Sequence, residues 1–238
     1  VTGPFAAESI REFEGAPDTE HRGVMPAAIE RIAGVVLAGG LSRRMGGGDK
    51  GLRELNGKPL ILHVIERLSR QAAPLAISAN GDASRFAAFG LPVIADATPD
   101  FAGPLAGVLA GMRWAAGAAP DVRVIVTAAC DTPFFPADLV AQFLAAAGGA
   151  YPAIVLAMSE GQVHPVFGLW PIALAEDLDA ALASGTRKVL HWTDRHPHFI
   201  AEFPQVRFGG KLADPFFNAN TPEELAEAES LLADEETL

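Results

Sequence analysis

The sequence predicts a three-layer α/β protein: a mostly parallel central sheet with helices on both faces, and a C-terminal antiparallel hairpin element. Three observations predict it. From Ile32 onward, short apolar runs bounded by turn residues recur at 32–37, 75–79, 92–95 and 122–127, as expected of parallel strands covered on both faces. Between them lie longer stretches with helical apolar spacing. After residue 150 the pattern changes, and two apolar runs, 153–158 and 163–170, are separated only by Ser159-Glu160-Gly161-Gln162, a hairpin connection. Strand–helix alternation before that point implies right-handed crossovers.

The elements follow in order. Residues 1–31 are polar, lack a period and contain Pro4, Pro17 and Pro26, so they are expected to be a disordered extension. They carry Glu8, Glu12, Glu14, Asp18 and Glu20 and no apolar segment, unlike a secretory signal. One domain is expected over 32–233, with an acidic tail at 234–238. The strand 32–37 breaks into an irregular loop, 38–51, and Asn56-Gly57 makes a turn. Pro59 is the expected first residue of a helix over 59–72, where Leu60, Ile61, Val64, Ile65 and Leu68 form one stripe. A helix at 82–89 ends on Gly90 as its cap, and another spans 104–116. Beyond the hairpin come helices at about 171–183 and 186–195 and a strand at 198–203. Thr221-Pro222-Glu223-Glu224 starts the last helix, with Thr as N-cap, Pro in the first position and Glu in the third.

Composition narrows the function. The chain has 238 residues, half of them hydrophobic, enough for one substantial core. No apolar run reaches the ~18 residues that span a bilayer. The single cysteine, Cys130, excludes an internal disulfide framework. A soluble, cytoplasmic protein is expected. The net charge of −11 argues against bulk nucleic-acid binding. That charge is unevenly placed: 222–238 holds seven carboxylates and no Lys or Arg, which leaves room for a positive site elsewhere.

Such a site is offered by the 38–51 loop. It carries Gly39, Gly40, Gly46, Gly47 and Gly48, with Arg43, Arg44 and Lys50. Glycines let backbone N–H groups approach a polyanion closely, and the cations add full charge at the same place. The loop is not a P-loop, because Lys50 follows Asp49 and precedes Gly51. Nor is it the dinucleotide fingerprint, which runs straight into a helix. Read on its own, it fits either a nucleoside triphosphate site or a solvated surface loop.

In an open α/β sheet, ligands bind beyond the carboxyl ends of the strands. The 38–51 loop, Ser78-Ala79-Asn80, Asp96 and Cys130-Asp131 all fall at such ends. Asp131 can hold Mg²⁺, which prefers oxygen ligands, or can simply turn the chain before Pro133. Asn218 and Asn220 are equally compatible with turn chemistry. Arg187 and Lys188 can bind a second anion or lie on a helix surface. Cys130 reads as a small buried residue, since no histidine lies near it in sequence.

These pieces together resemble a known family. Leu37-Ala38-Gly39-Gly40, Ser42-Arg43-Arg44-Met45-Gly46-Gly47 and Asp49-Lys50-Gly51-Leu52 are similar to the signature of the molybdenum cofactor guanylyltransferases. These are the MobA type among nucleotidyltransferases with a Rossmann-like sheet. Leu55-Asn56-Gly57-Lys58-Pro59-Leu60, Asp96, Gly103-Pro104-Leu105-Ala106-Gly107, Cys130-Asp131-Thr132-Pro133 and Asn218-Ala219-Asn220-Thr221-Pro222 also fit, in order, over roughly residues 32 to 232.

The resemblance implies transfer of GMP from GTP to the terminal phosphate of molybdopterin, with release of pyrophosphate. It implies that GTP meets Leu37, Ala38, Gly39, Gly40, Lys50, Ser78, Asp96 and Asp131. Arg44 and Lys50 would contact phosphates, and Asp131 would bind Mg²⁺, with Mn²⁺ as a substitute. Asn218 and Asn220 would lie near the metal or the pterin, and His164 on the pterin side. The implied partners are GTP and molybdopterin, with transient contacts to molybdenum-insertion proteins and molybdoenzyme-specific chaperones, and neither nucleic acid nor membrane. Ser78-Ala79-Asn80 departs from the more usual Asn-Ala-Asn, so Ser78 reaches less far and acts through water, or Asn80 takes part of its role. Arg53, by contrast with Lys50, is expected to face solvent. The alternatives are the cytidylyltransferase of the same cofactor, a sugar-phosphate nucleotidyltransferase, or a non-catalytic nucleotide-binding regulator. Gly39-Gly40 favours guanine over cytosine, and intact Arg44, Lys50 and Asp131 favour catalysis.

Overall fold

In the computed structural model, residues 31–39, 49–96, 103–208, 210–219 and 221–235 are described. The strands are β1 (Ala33–Leu37), β2 (Glu54–Leu55), β3 (Lys58–Pro59), β4 (Leu75–Ser78), β5 (Val93–Ile94), β6 (Val124–Ala129), β7 (Ile154–Ser159), β8 (Gln162–Pro171), β9 (His198–Glu202), β10 (Val206–Phe208) and β11 (Lys211–Ala213). The α-helices are α1 (Leu60–Ser69), α2 (Pro104–Ala118), α3 (Leu139–Ala147), α4 (Ala175–Ala183), α5 (Val189–Thr193) and α6 (Pro222–Glu235). Seven strands form the main sheet in the order β5-β4-β1-β6-β8-β7-β9. β5, β4, β1 and β6 run parallel, β8 runs antiparallel to both β6 and β7, and β9 joins β7 in parallel. The α/β architecture with a mostly parallel sheet is therefore as expected.

Successive residues of the central strands point into opposite layers. Val36, Val126 and Val155 join one core with Ile61, Val64 and Leu68 of α1 and Phe143 of α3. Their neighbours Val35, Ile125 and Leu156 join the other, with Leu105, Val108 and Met112 of α2, Leu178 of α4 and Trp192 of α5. This is why the strands read as unbroken apolar runs rather than as alternating ones. A smaller core brings α6 and the β10–β11 hairpin against Leu55, Leu60 and Phe134 through Phe208, Ala219 and Leu231.

Local signals act as read. Asn56 and Gly57 take positive φ in the turn between β2 and β3. Gly90, at φ 66°, caps the 82–89 segment. At the start of α6, Thr221 Oγ1 accepts from Glu224 N at 3.1 Å and Glu224 Oε2 accepts from Thr221 N at 2.9 Å, a reciprocal capping box.

Four details differ from expectation. The 82–89 segment is a 3₁₀ turn over Ala83–Phe89, held between the Asp82 side-chain cap and Gly90. Pro59 is the N-cap of α1 and belongs to β3, because the tight β2–β3 turn ends where the helix starts. α3 was not expected; its apolar residues fill most of the helix surface, so no single stripe marks it. The β10–β11 hairpin, with three residues per strand, is too short to show alternation. The expected extension 1–31 and the tail 234–238 fall mostly outside the described residues.

α2 lies close on the sheet because it has no side chain at two contact points. A Cβ on Gly111 would stand 2.8 Å from Val35 Cγ2 and 2.9 Å from Ile125 Cδ1, both on fully buried strand residues. Alanine gains about 1 kcal/mol over glycine in a helix interior, but overpacking a dense core costs roughly 1–3 kcal/mol. Gly111→Ala is therefore expected to lower stability by up to about 2 kcal/mol in urea denaturation. Unchanged or raised stability would show that α2 can lift without loss.

Candidate active site

The carboxyl ends of β1, β4, β5 and β6 lie along one edge of the sheet. Backbone bonds knit them: Ala38 N donates to Ser78 O at 2.8 Å, Ala79 N to Ile94 O at 2.9 Å, and Cys130 N to Leu37 O at 3.1 Å. Chain segments leaving four separate strands thus begin side by side, at the place where open α/β sheets bind ligands.

Lys50 and Asp131 meet here across 81 residues of sequence. Lys50 Nζ lies 3.4 Å from Asp131 Oδ2, and the two side chains are 25% and 14% exposed. Gly51 permits the approach, since a Cβ there would stand 3.1 Å from both Cβ and Sγ of Cys130. The Cys130 thiol is pushed far up by burial and by neighbouring Asp131, so it stays a protonated, inert thiol.

At the end of β4, Asn80 and Asp96 bind each other reciprocally. Asn80 Nδ2 donates to Asp96 Oδ2 at 2.7 Å, and Asp96 N donates to Asn80 Oδ1 at 2.9 Å. Burial raises the Asp96 carboxyl above its ordinary value, and the Asn80 amide pulls it partly back. Ser78 is only 4% exposed. A Cβ on Gly107 of α2 would stand 2.8 Å from Ser78 Oγ, so the helix lies directly over that hydroxyl. The exposed polar side chain at this strand end is Asn80 rather than Ser78.

The segment before α6 returns to Asp131. Ala219 N donates to Asp131 O at 3.0 Å, and Thr132 Oγ1 donates to Asn218 Oδ1. The same segment is anchored from behind. Ser159 Oγ donates to Asp214 Oδ1 at 2.7 Å and lies 2.6 Å from His164 Nε2. A hydroxyl has one proton, so His164 Nε2 is the donor in that second bond. The three residues are a fastening, not a nucleophile with its base. Burial holds His164 below its ordinary pKa, with Asp214 pulling the other way, and its ring stacks on Phe216 at 4.5 Å.

Among the expected site residues, Leu37, Ala38, Lys50, Ser78, Asp96, Asp131 and Asn218 are gathered at this edge, and Gly39 is exposed with open space at its α-carbon. Gly40, Arg44 and Asn220 lie outside the described residues. Arg53 does not face solvent as expected; it is half-buried, next to Leu52, which packs on the core. Arg187 donates from Nη1 to Leu182 O and to Thr186 O, each at 2.9 Å.

Sequence reasoning did not single out Asp49, Arg85, Ser159 or Asp214. Arg85 grips Asp49 from the 3₁₀ turn. No spacing rule joins residues that far apart. The one visible signal for Asp214 is its place four residues before Asn218 in a turn-rich stretch.

A family model, described as the MobA-like NTP transferase domain, matches residues 34–198. The molybdenum cofactor guanylyltransferase of Bradyrhizobium sp. (strain ORS 278) is 50% identical over 206 residues, which is 86% of this chain and 95% of that protein. The molybdopterin-guanine dinucleotide biosynthesis protein A of Archaeoglobus fulgidus superposes with a TM-score of 0.65 at 23% identity, covering 85% of this chain and 99% of its own. A Mycobacterium tuberculosis protein solved in complex with manganese superposes with a TM-score of 0.58 at 17% identity, covering 84% of this chain and 98% of its own. At these identities the two solved structures speak to fold alone.

Proposed function

This chain belongs to the family of MobA-like NTP transferases, and we infer that it is a molybdenum cofactor guanylyltransferase. It transfers GMP from GTP to the terminal phosphate of molybdopterin and releases pyrophosphate. The observation that carries the reading at the level of the site is the meeting of Lys50 and Asp131 at the carboxyl ends of β1 and β6.

The chemistry needs no covalent nucleophile. A phosphate oxygen of molybdopterin attacks the α-phosphorus of GTP in line. The new P–O bond forms as the bond to the bridging oxygen of the β-phosphate breaks, and its electron pair leaves with pyrophosphate. The protein must align two polyanions and offset their repulsion. Lys50 supplies positive charge where the leaving group gathers negative charge, and we assign Arg44 the same task. The backbone of Leu37, Ala38, Gly39 and Gly40 is assigned to line the nucleotide. Asn80 with Asp96 is assigned to the nucleoside portion, Asn80 taking over the reach that Ser78 lacks. Asn218, with Asn220, is placed on the pterin side.

A divalent cation fits this site through Asp131. Among the described residues no group of three or more His, Cys, Asp and Glu is gathered for a metal. One partly exposed carboxylate suits Mg²⁺, which keeps several waters and takes phosphate oxygens as further ligands, and Mn²⁺ suits the same donor. When bound, the ion neutralises phosphate charge and polarises the reacting phosphoryl group. No helix among the described residues is long and apolar enough to cross a membrane. A cytoplasmic location, and brief contacts with molybdenum-insertion proteins and molybdoenzyme chaperones, go with this role as proposals.

Base preference tests the reading. Guanine offers an O6 acceptor with N1–H and N2–H₂ donors, and a site matched to that edge leaves polar groups unsatisfied by cytosine. GTP is expected to exceed CTP by at least about tenfold in kcat/KM, or roughly 1.4 kcal/mol. In thermal shifts with Mg²⁺, GTP at 100 times its Kd should stabilise by about 2.7 kcal/mol. Equal or better use of CTP would move the chain to the cytidylyltransferase reading.

A further inference from the structure

Arg85 belongs to none of the motifs above, yet it spends its whole guanidinium on two loops and the start of its own turn. Nη1 donates to both carboxylate oxygens of Asp49, to Oδ1 at 2.5 Å. Nη2 donates to the backbone oxygen of Asn80 at 2.6 Å, and Nε to that of Asp82 at 2.8 Å. The guanidinium carbon stands 5.2 Å from the ring centre of Phe86, which is fully buried. The Asp49 side chain is only 10% exposed. An exposed ion pair would contribute little. One nitrogen on a nearly buried carboxylate, with the other two held by backbone oxygens, is different, because the planar guanidinium then fixes direction as well as distance.

What the fork joins is the point. Asp49 immediately precedes Lys50, whose ammonium reaches Asp131. Asn80 immediately follows β4 and holds Asp96 through two hydrogen bonds. One side chain therefore ties the backbone that delivers the phosphate-binding lysine to the loop that presents the nucleoside-binding pair. Resting on the guanylyltransferase reading, we propose that Arg85 is a positioning residue that sets the spacing between the phosphate half and the nucleoside half of the GTP site. With the spacing held, the two halves of GTP bind as one ligand, and the second contact is gained at high effective concentration. With the spacing released, each half still binds its own fragment.

The test is isothermal titration of the full chain with Mg²⁺, using GTP, CTP, GMP and inorganic tripolyphosphate, the fragments by displacement. Arg85→Lys keeps the charge and loses the fork; Asp49→Asn keeps the shape and loses the charge. Each is expected to weaken GTP by at least about tenfold, while GMP and tripolyphosphate change by less than about threefold. The double variant should match the worse single one, since both break the same tie. A GTP loss under tenfold would overturn the proposal. So would parallel weakening of GTP, GMP and tripolyphosphate with a lowered melting temperature, because that marks a residue that only stabilises the fold. Wild-type protein that fails to prefer GTP over CTP would instead remove the guanylyltransferase reading, and this proposal with it.

Discussion

Asp131→Asn is expected to cut kcat by about 10²–10³ and to leave the melting curve almost unchanged. The two effects separate because the side chain and the backbone of Asp131 do different work. Its backbone oxygen accepts from Ala219 N, and asparagine keeps that bond. Its carboxylate lies 3.4 Å from Lys50 Nζ, longer than a strong charge-assisted hydrogen bond, so an amide of the same shape is expected to cost little stability. For catalysis, the same carboxylate is the assigned protein ligand of a cation that recruits few protein ligands, so losing it removes charge stabilisation worth a few kcal/mol in the transition state. Steady-state kinetics beside a thermal melt decides the matter. Activity retained at ordinary Mg²⁺ would make Asp131 a turn residue before Pro133.

Lys50→Ala is expected to be nearly inactive, with a loss of about 10²–10³ in kcat, as for removal of a contact that strengthens while charge develops. The control has to be a lysine close in sequence but away from the site. Arg53 would have been the natural choice by position, but its half-buried setting makes its loss ambiguous. Lys58 serves better: it lies on β3 and pairs with Glu66 of α1, the two side chains being 31% and 49% exposed. Lys58→Ala should cost under about 1 kcal/mol in stability and leave kcat near wild type. The difference should persist as salt rises, because a direct contact between Lys50 and a bound phosphate is screened less than a long-range field. If both variants lose activity to a similar extent and the losses relative to wild type fade together as salt rises, the 38–51 loop provides only a diffuse field.

The sheet edge was readable because its signals are local. Apolar runs with turn residues at each end mark β1, β4 and β6, while most of the glycines and cations that follow β1 lie outside the described residues. Capping chemistry at Thr221 and turn chemistry at Asn56-Gly57 are contained within four residues each, so sequence carries them whole. Asp49–Arg85 and Ser159–Asp214 were not readable, since each contact joins residues 36 and 55 apart and depends on how whole layers pack. The burial of Ser78 was hidden for the same kind of reason. Its position in the chain suggests a ligand contact, and only the seating of Gly107 on the sheet shows that its hydroxyl is covered. α3 escaped notice because apolar residues also occupy its exposed side, Ala141, Leu144 and Ala145 among them, so no stripe marks the face that packs on β7 and β9.

The return of the 214–219 segment to Asp131 has a consequence for biosynthesis. Translation proceeds from the amino end, and the main sheet has all its strands once Glu202 has been made. The partner of Thr132 comes later: Asn218 follows it by 86 residues, which at about 5–20 residues per second is a lag of roughly 4–17 s. Glu202 precedes Asn218 by 16 residues, about 1–3 s at that rate, and only in that shorter interval has the chain every strand of the main sheet without the segment assigned to the second substrate. A chain cut short after β9 is therefore expected to keep every strand of the main sheet and to lose the segment that returns to Asp131.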